Sequence, residues 1–152
     1  MNVKSLSARA GIRIRCPRAT VFAAFADAET MSRFWFNRRD HGLVEGESST
    51  WFLGNDEDAY SFNVHVKQVC EPERIVIDWE GPDGHCTQVV WHFEEIEDGD
   101  TILTIEESGF SGDSGSIVEQ VLDSTCGFNQ AIVAAKALVE HGVALNVVAD
   151  HA

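Results

Sequence analysis

The chain has 152 residues, 44% of them hydrophobic and 24% charged, and carries 11 Lys and Arg against 25 Asp and Glu, a net charge of −14. That length buries one core without staples, so residues 1–152 read as a single domain. The acidity argues against nucleic acid or an anionic membrane as main partner, and no apolar run reaches the ~20 residues of a membrane span. Met1 to Leu6 lack the apolar stretch of a signal peptide, and Cys16, Cys70, Cys86 and Cys126 never form C-x-x-C. The expectation is therefore a cytoplasmic protein with reduced, mostly buried thiols.

The charge is uneven. Residues 1–39 hold eight Lys or Arg and two acids, whereas the remaining residues hold three cations and 23 acids. Arg13 and Arg15 are expected to pair with acids on a neighbouring strand, as opposite charges across strands do. The basic amino-terminal third is also a surface that suits an acidic partner.

In chain order, residues 10–16 alternate Ile12, Ile14 and Cys16 against Arg13 and Arg15, a first strand with one apolar face. Pro17 suits a helix start, and Val21, Phe22 and Phe25 lie one turn apart. Asp27 can cap a second helix running through Met31 to Phe36, with Gly42 and Gly46 marking its exit. Strands follow near 43–46, 49–53, 59–70, 74–80, 86–96 and 101–108. Their separators are short: 54–58, the Pro72 turn, Gly81-Pro82-Asp83-Gly84 and Asp98-Gly99. Such connections make antiparallel hairpins rather than βαβ units. From Asp113 to Gly142 apolar residues recur at three-to-four spacing, a long helix capped by Asp113 or Ser114 and ended by Gly142. Residues 143–152 read as a trailing extension. The sum is an α+β domain in which a curved antiparallel sheet of about seven strands wraps the carboxy-terminal helix, leaving any gap between them as a cavity.

The parity of each strand selects the residues that face this gap, because a one-residue slip reverses every side chain. If the Pro72 turn leaves residues 71–74 outside the ladder, Cys70 pairs with Ile75 and Val66 with Trp79. Phe62, Val64 and Val66 then share a face with Ile75, Ile77 and Trp79. A three-residue loop would bring His65 and Lys67 to that face instead. Val89, Trp91 and Phe93 face inward by the same alternation, and His92 outward. In strand 101–108 either Glu106 or Glu107 must share the inner side. There it serves as a rim residue, a partner for an arginine of the first strand, or a desolvated ligand anchor or general acid/base.

These residues resemble the SRPBCC superfamily, the START or Bet v 1-like helix-grip fold, and most closely its branch named after the carboxy-terminal domain of the Hsp90 ATPase activator. The likeness covers about residues 10–142. It is carried by Pro17 with Val21-Phe22, Phe34-Trp35-Phe36, Gly46, and the strand-Pro-Arg-strand-Trp run from Val69 to Trp79. Thr101, Ser108-Gly109-Phe110, Gly127-Phe128 and Leu138 to Gly142 continue it. Phe128 replaces a common Trp, and Glu107 stands where His is frequent. The resemblance implies roles ranging from lipid carriers and hormone receptors to polyketide cyclases, oxygenase subunits and chaperone cofactors. Fold analogy does not choose among them.

The six histidines show no metal-ligand spacing, and the run Gly109 to Gly115 lacks both the P-loop lysine and G-x-G-x-x-G. No metal and no cofactor is expected, and no catalytic residue can be assigned. The leading expectation is a binder of a small hydrophobic or aromatic molecule. Its candidate lining is Trp35, Trp51, Tyr60, Phe62, Val64, Ile77, Trp79, Trp91, Phe128 and Ile132, with Glu106 or Glu107 as polar anchor. The alternatives are a cyclase- or dehydratase-like enzyme using the inward carboxylate, and an Hsp90-linked regulator. A homodimer through the first strand and the aromatic helix pair is a further expectation.

Overall fold

The computed structural model describes residues 2–36, 38, 39, 41–54 and 56–152, with the backbone alone for Arg38 and Arg39; Asn55, within the predicted 54–58 turn, lies outside the described residues. Among these, seven strands form one antiparallel sheet in the order β1-β7-β6-β5-β4-β3-β2. They are β1 (Ala8–Ile14), β2 (Arg38–Arg39), β3 (Ser48–Leu53), β4 (Tyr60–Cys70), β5 (Arg74–Glu80), β6 (Cys86–Glu95) and β7 (Thr101–Ser108). The helices are α1 (Arg18–Ala26), α2 (Ala28–Ser32) and α3 (Ser114–His141). No helix among the described residues is long and apolar enough to cross a membrane.

The β4–β5 hairpin corrects the predicted register and keeps the predicted face. Its loop is only Glu71, Pro72 and Glu73, since Cys70 pairs with Arg74 and Val69 with Ile75. A three-residue loop alone would turn His65 inward. A bulge between Val66 and Gln68 absorbs one residue, however, so Val66 meets Ile77 and Val64 meets Trp79. Phe62, Val64 and Val66 are buried as a result, while Lys67 and Gln68 both lie exposed. Lys67 reaches across the outer face to Asp78 at 3.8 Å and to Gln88 at 3.2 Å.

Two elements depart from expectation. Residues 43–46 form no strand: Glu47 N–H closes a turn on the Val44 carbonyl at 3.1 Å, and Gly46 has φ +84°. That left-handed conformation suits glycine in a turn and breaks an extended ladder. The second helix stops at Ser32 instead of reaching Phe36. Phe34, Trp35 and Phe36 are all buried, and three consecutive helical side chains cannot share one face. The chain leaves the helix so that all three can enter the core. Asp27 caps α2 as expected, accepting from Thr30 N–H at 3.0 Å.

Helix α3 begins at the cap Asp113, whose carboxylate accepts from Ser116 N–H at 2.8 Å, and ends at Gly142 with φ +67°. Its last turns lock onto β1. Lys136 Nζ donates to the Arg13 carbonyl at 2.8 Å and to Glu140, which also accepts the Arg15 backbone N–H at 2.9 Å. Arg13 pairs with Asp100 at 2.6 Å, and Arg9 pairs with Glu106 at 2.9 Å. Of the two arginines expected to find strand acids, Arg13 does so at the foot of β7, while Arg15 engages helix α3 through its backbone.

Burial pushes Glu140 toward its neutral form, but the Lys136 hydrogen bond, the Arg15 N–H and the nearby positive charges prevail and hold its pKa below the ordinary 4.5. The folded state therefore binds this proton less readily than the unfolded chain. The stabilisation is complete above about pH 4.5 and is lost as pH falls through the lowered native value. Urea melts between neutral pH and about pH 3 are expected to show a shallower acid loss of stability in Glu140→Gln than in the native protein.

The thiols also differ from expectation. Cys70, Cys86 and Cys126 are free and exposed, and only Cys16 is partly buried. The aromatic residues of the helix pair turn inward, with Phe22, Phe25, Phe34, Trp35 and Phe36 all buried. Residues 143–152 are not a loose trailer: Leu145, Val147 and Val148 pack on the core, and Asp150 N–H closes a turn on Asn146 at 2.8 Å.

Candidate functional site: an aromatic cleft between sheet and helix

The core is filled where α1 and α2 cover the sheet and opens where α3 alone covers it. On the filled side Phe25 contacts Phe34, Trp35, Trp91 and Phe93, with ring centroids 5.1–6.2 Å apart. On the open side the inward residue at the end of β5 is Trp79, which lies flat on Phe128 of α3, 5.6 Å between centroids and 9° between planes. Two open clefts adjoin at Trp79, which borders both, while Phe128 borders the smaller one. The larger, about 510 Å³, is walled by Tyr60, Phe62, Trp79, Thr87, Glu107 and Phe110, with Gln120, Asp123 and Ser124 on the helix side. The smaller, about 310 Å³, lies between Trp35, Phe36, Trp79, Phe128 and the tail residues Val147 and Val148. Gly127 borders it, and a Cβ added there would meet nothing within 4 Å.

Strand β7 resolves the choice between its two glutamates. Thr101, Leu103, Ile105 and Glu107 form the buried face, and Glu106 points outward to Arg9. Glu107 is 3% exposed. Its Oε2 accepts from the Trp79 indole Nε1–H at 2.8 Å and from the Thr87 hydroxyl. Oε1 is buried and has no partner among the described residues. The sheet register explains the trio: Trp79 pairs with Thr87 across β5–β6, and Glu107 pairs with Val89, two residues along the same face. His85, in the β5–β6 loop, ties this end of the sheet to the α3 approach through Nε2 and the Gly109 carbonyl at 2.8 Å.

Of the residues singled out from sequence, Trp35, Tyr60, Phe62, Trp79, Glu107 and Phe128 border the clefts. Trp51, Val64, Ile77, Trp91 and Ile132 face inward but belong to the filled core, each no more than 1% exposed. Glu106 is on the opposite face of the sheet. Sequence reading passed over Thr87, Phe36, Phe110, Gln120 and the tail. Thr87 was findable, since it continues the inward parity of Val89, Trp91 and Phe93. The apolar pair Val147-Val148 was the one signal that the tail would return. Among the described residues no three His, Cys, Asp or Glu side chains converge as a metal-ligating group.

Comparison with known proteins bears on this arrangement. The family model for activator of Hsp90 ATPase homolog 1-like protein matches residues 15–132. No curated protein matches the sequence. Among solved structures, the protein SSP2350 from Staphylococcus saprophyticus is 26% identical with a TM-score of 0.77, covering 93% of this chain and 96% of its own. DynU16, from the dynemicin biosynthetic locus, is 20% identical with a TM-score of 0.76; 90% of this chain aligns to 48% of that protein, about half its length. The Aha1 dimer from Colwellia psychrerythraea is 14% identical with a TM-score of 0.72, covering 90% and 98%. The latter two likenesses are likenesses of fold.

Proposed function

The chain belongs to the activator of Hsp90 ATPase homolog 1-like family, within the SRPBCC fold, and from that premise we propose that it binds a small hydrophobic or aromatic molecule in the cleft between the sheet and α3. The observation that carries this reading is the open aromatic wall around Trp79, which borders both clefts. Volumes of about 310 and 510 Å³ fall within the ~300–1,000 Å³ of small-molecule sites. Affinity comes mainly from apolar burial, at about 25 cal/mol per Å² before the costs of association. Thermal melts against a panel of lipids and bicyclic aromatics, with native mass spectrometry of the hits, test it. A ligand that raises Tm and is carried into the gas phase at one-to-one stoichiometry is the expected result. A panel without any shift, together with a solid core in a crystal structure, removes the reading.

A cyclase- or dehydratase-like activity would use the same cleft, with Glu107 as acid or base; the observation favouring it is that a buried carboxylate touches the wall at all. Conversion of a bound polyketide that is lost in Glu107→Gln is its test. A protein partner is a separate reading, supported by the family description and by a structural neighbour that is a dimer. Light scattering for the dimer and pull-down with Hsp90 for the chaperone decide it.

A further inference from the structure

We infer that the larger cleft selects ligands whose apolar body carries a protonated amine, held by the free oxygen of Glu107; this rests on the cleft being a ligand site. Two independent observations meet here. The first is the half-satisfied carboxylate. Glu107 is 3% exposed and its Oε2 is fully engaged by Trp79 and Thr87, which fixes the group in place. Oε1 has no donor from the described residues. A carboxylate oxygen without a donor is completed by a bound molecule that donates a hydrogen bond to it, and a charged donor does so most strongly.

The second observation is the sign of the lining. Besides Glu107, the larger cleft is bordered by Glu80, Asp83 and Asp123, and by no Lys or Arg. Its remaining titratable groups are Tyr60 and His85, and one ring nitrogen of His85 is occupied by the Gly109 carbonyl. A carboxylate or phosphate ligand would meet like charge at every turn. An ammonium group meets carboxylates and the faces of Trp79 and Phe62, which attract cations through their ring quadrupoles. Fatty acids, which suit apolar clefts with basic mouths, are disfavoured here by the same field.

Three probes with one naphthalene body separate the contributions: 2-(2-naphthyl)ethylamine, 2-(2-naphthyl)ethanol and 2-naphthylacetic acid, titrated calorimetrically at neutral pH. The native protein is expected to bind the amine roughly tenfold or more tighter than the alcohol, and the acid weakest, as a charge-assisted bond implies. Glu107→Gln should bring amine and alcohol close together. Glu106→Gln removes the same charge from the opposite face and should leave the order intact. An acid that binds as tightly as the amine overturns the inference, as does a preference that persists in Glu107→Gln. In both cases binding of the alcohol leaves the cleft reading standing. Failure of all three probes overturns the inference, while the cleft reading is decided by the broader panel of lipids and aromatics. Should Glu107→Gln not fold, the ranking of amine over acid in the native protein still decides.

Discussion

Phe25→Ala is expected to lower the stability of the domain by about 3–5 kcal/mol, the range for emptying an aromatic site in a close-packed core. Phe25 is 1% exposed and joins the α1–α2 cover to β6 through Phe34, Trp35, Trp91 and Phe93. Its loss removes apolar burial and several edge-to-face contacts together, each aromatic pair being worth ~0.5–1.5 kcal/mol beyond its area. For a domain of this size each kcal/mol moves Tm by about 2–4 °C, so a fall of roughly 6–20 °C follows. Leu122→Ala is the contrast. That side chain is 65% exposed, and its removal should stay within about 0.5 kcal/mol. Circular-dichroism melts of the two variants check the claim. Equal effects would mean that the helix pair is not packed as described.

Trp79 gives the second large effect, and there stability and binding separate. Trp79→Ala removes a wall common to both clefts, the partner of Phe128 and one donor to Glu107. Because the ring is only partly buried, its stability cost sits at the low end of the aromatic range, about 3 kcal/mol. Trp79→Phe keeps a ring against Phe128 but leaves Glu107 with Thr87 as its sole donor, costing roughly 1–2 kcal/mol. Binding of 2-(2-naphthyl)ethanol should be abolished in the alanine variant and largely kept in the phenylalanine variant. Calorimetry with both proteins reads this directly. Undiminished binding in Trp79→Ala would place the ligand elsewhere.

How far the sequence reveals this site follows from what each signal measures. Period-two alternation reports the face of a strand, and it correctly turned Phe62, Val64, Ile77, Trp79 and Trp91 inward. Depth along the strand is a different quantity, set by which helix lies above. Trp91 and Trp79 are both inward tryptophans, yet one is capped by Phe25 and the other by Phe128 of α3 at a cleft. No local pattern distinguishes them. The hairpin at Pro72 shows a second kind of limit: loop length and bulge are coupled, and the errors in each cancelled in the face while shifting the pairing. The choice between Glu106 and Glu107 was open because Ile102, Leu103 and Ile105 straddle both faces. Pairing with β1 and β6 settles it, through contacts distant in sequence. The long helix was legible to its caps, since Asp113 and Gly142 act within a single turn.

The most direct test uses the four tryptophans, whose indole N–H signals report four separate places in the fold. Trp79 borders both clefts, Trp35 borders the smaller one, and Trp51 and Trp91 are sealed in the core. Each signal can be assigned in a 15N-labelled sample by Trp→Phe substitution and followed during titration with 2-(2-naphthyl)ethanol. A progressive shift of the Trp79 indole N–H, with Trp51 and Trp91 unmoved, is the result that ligand binding in the cleft predicts. A titration in which Trp79 stays fixed up to the solubility limit, or moves only after the core signals do, would contradict it.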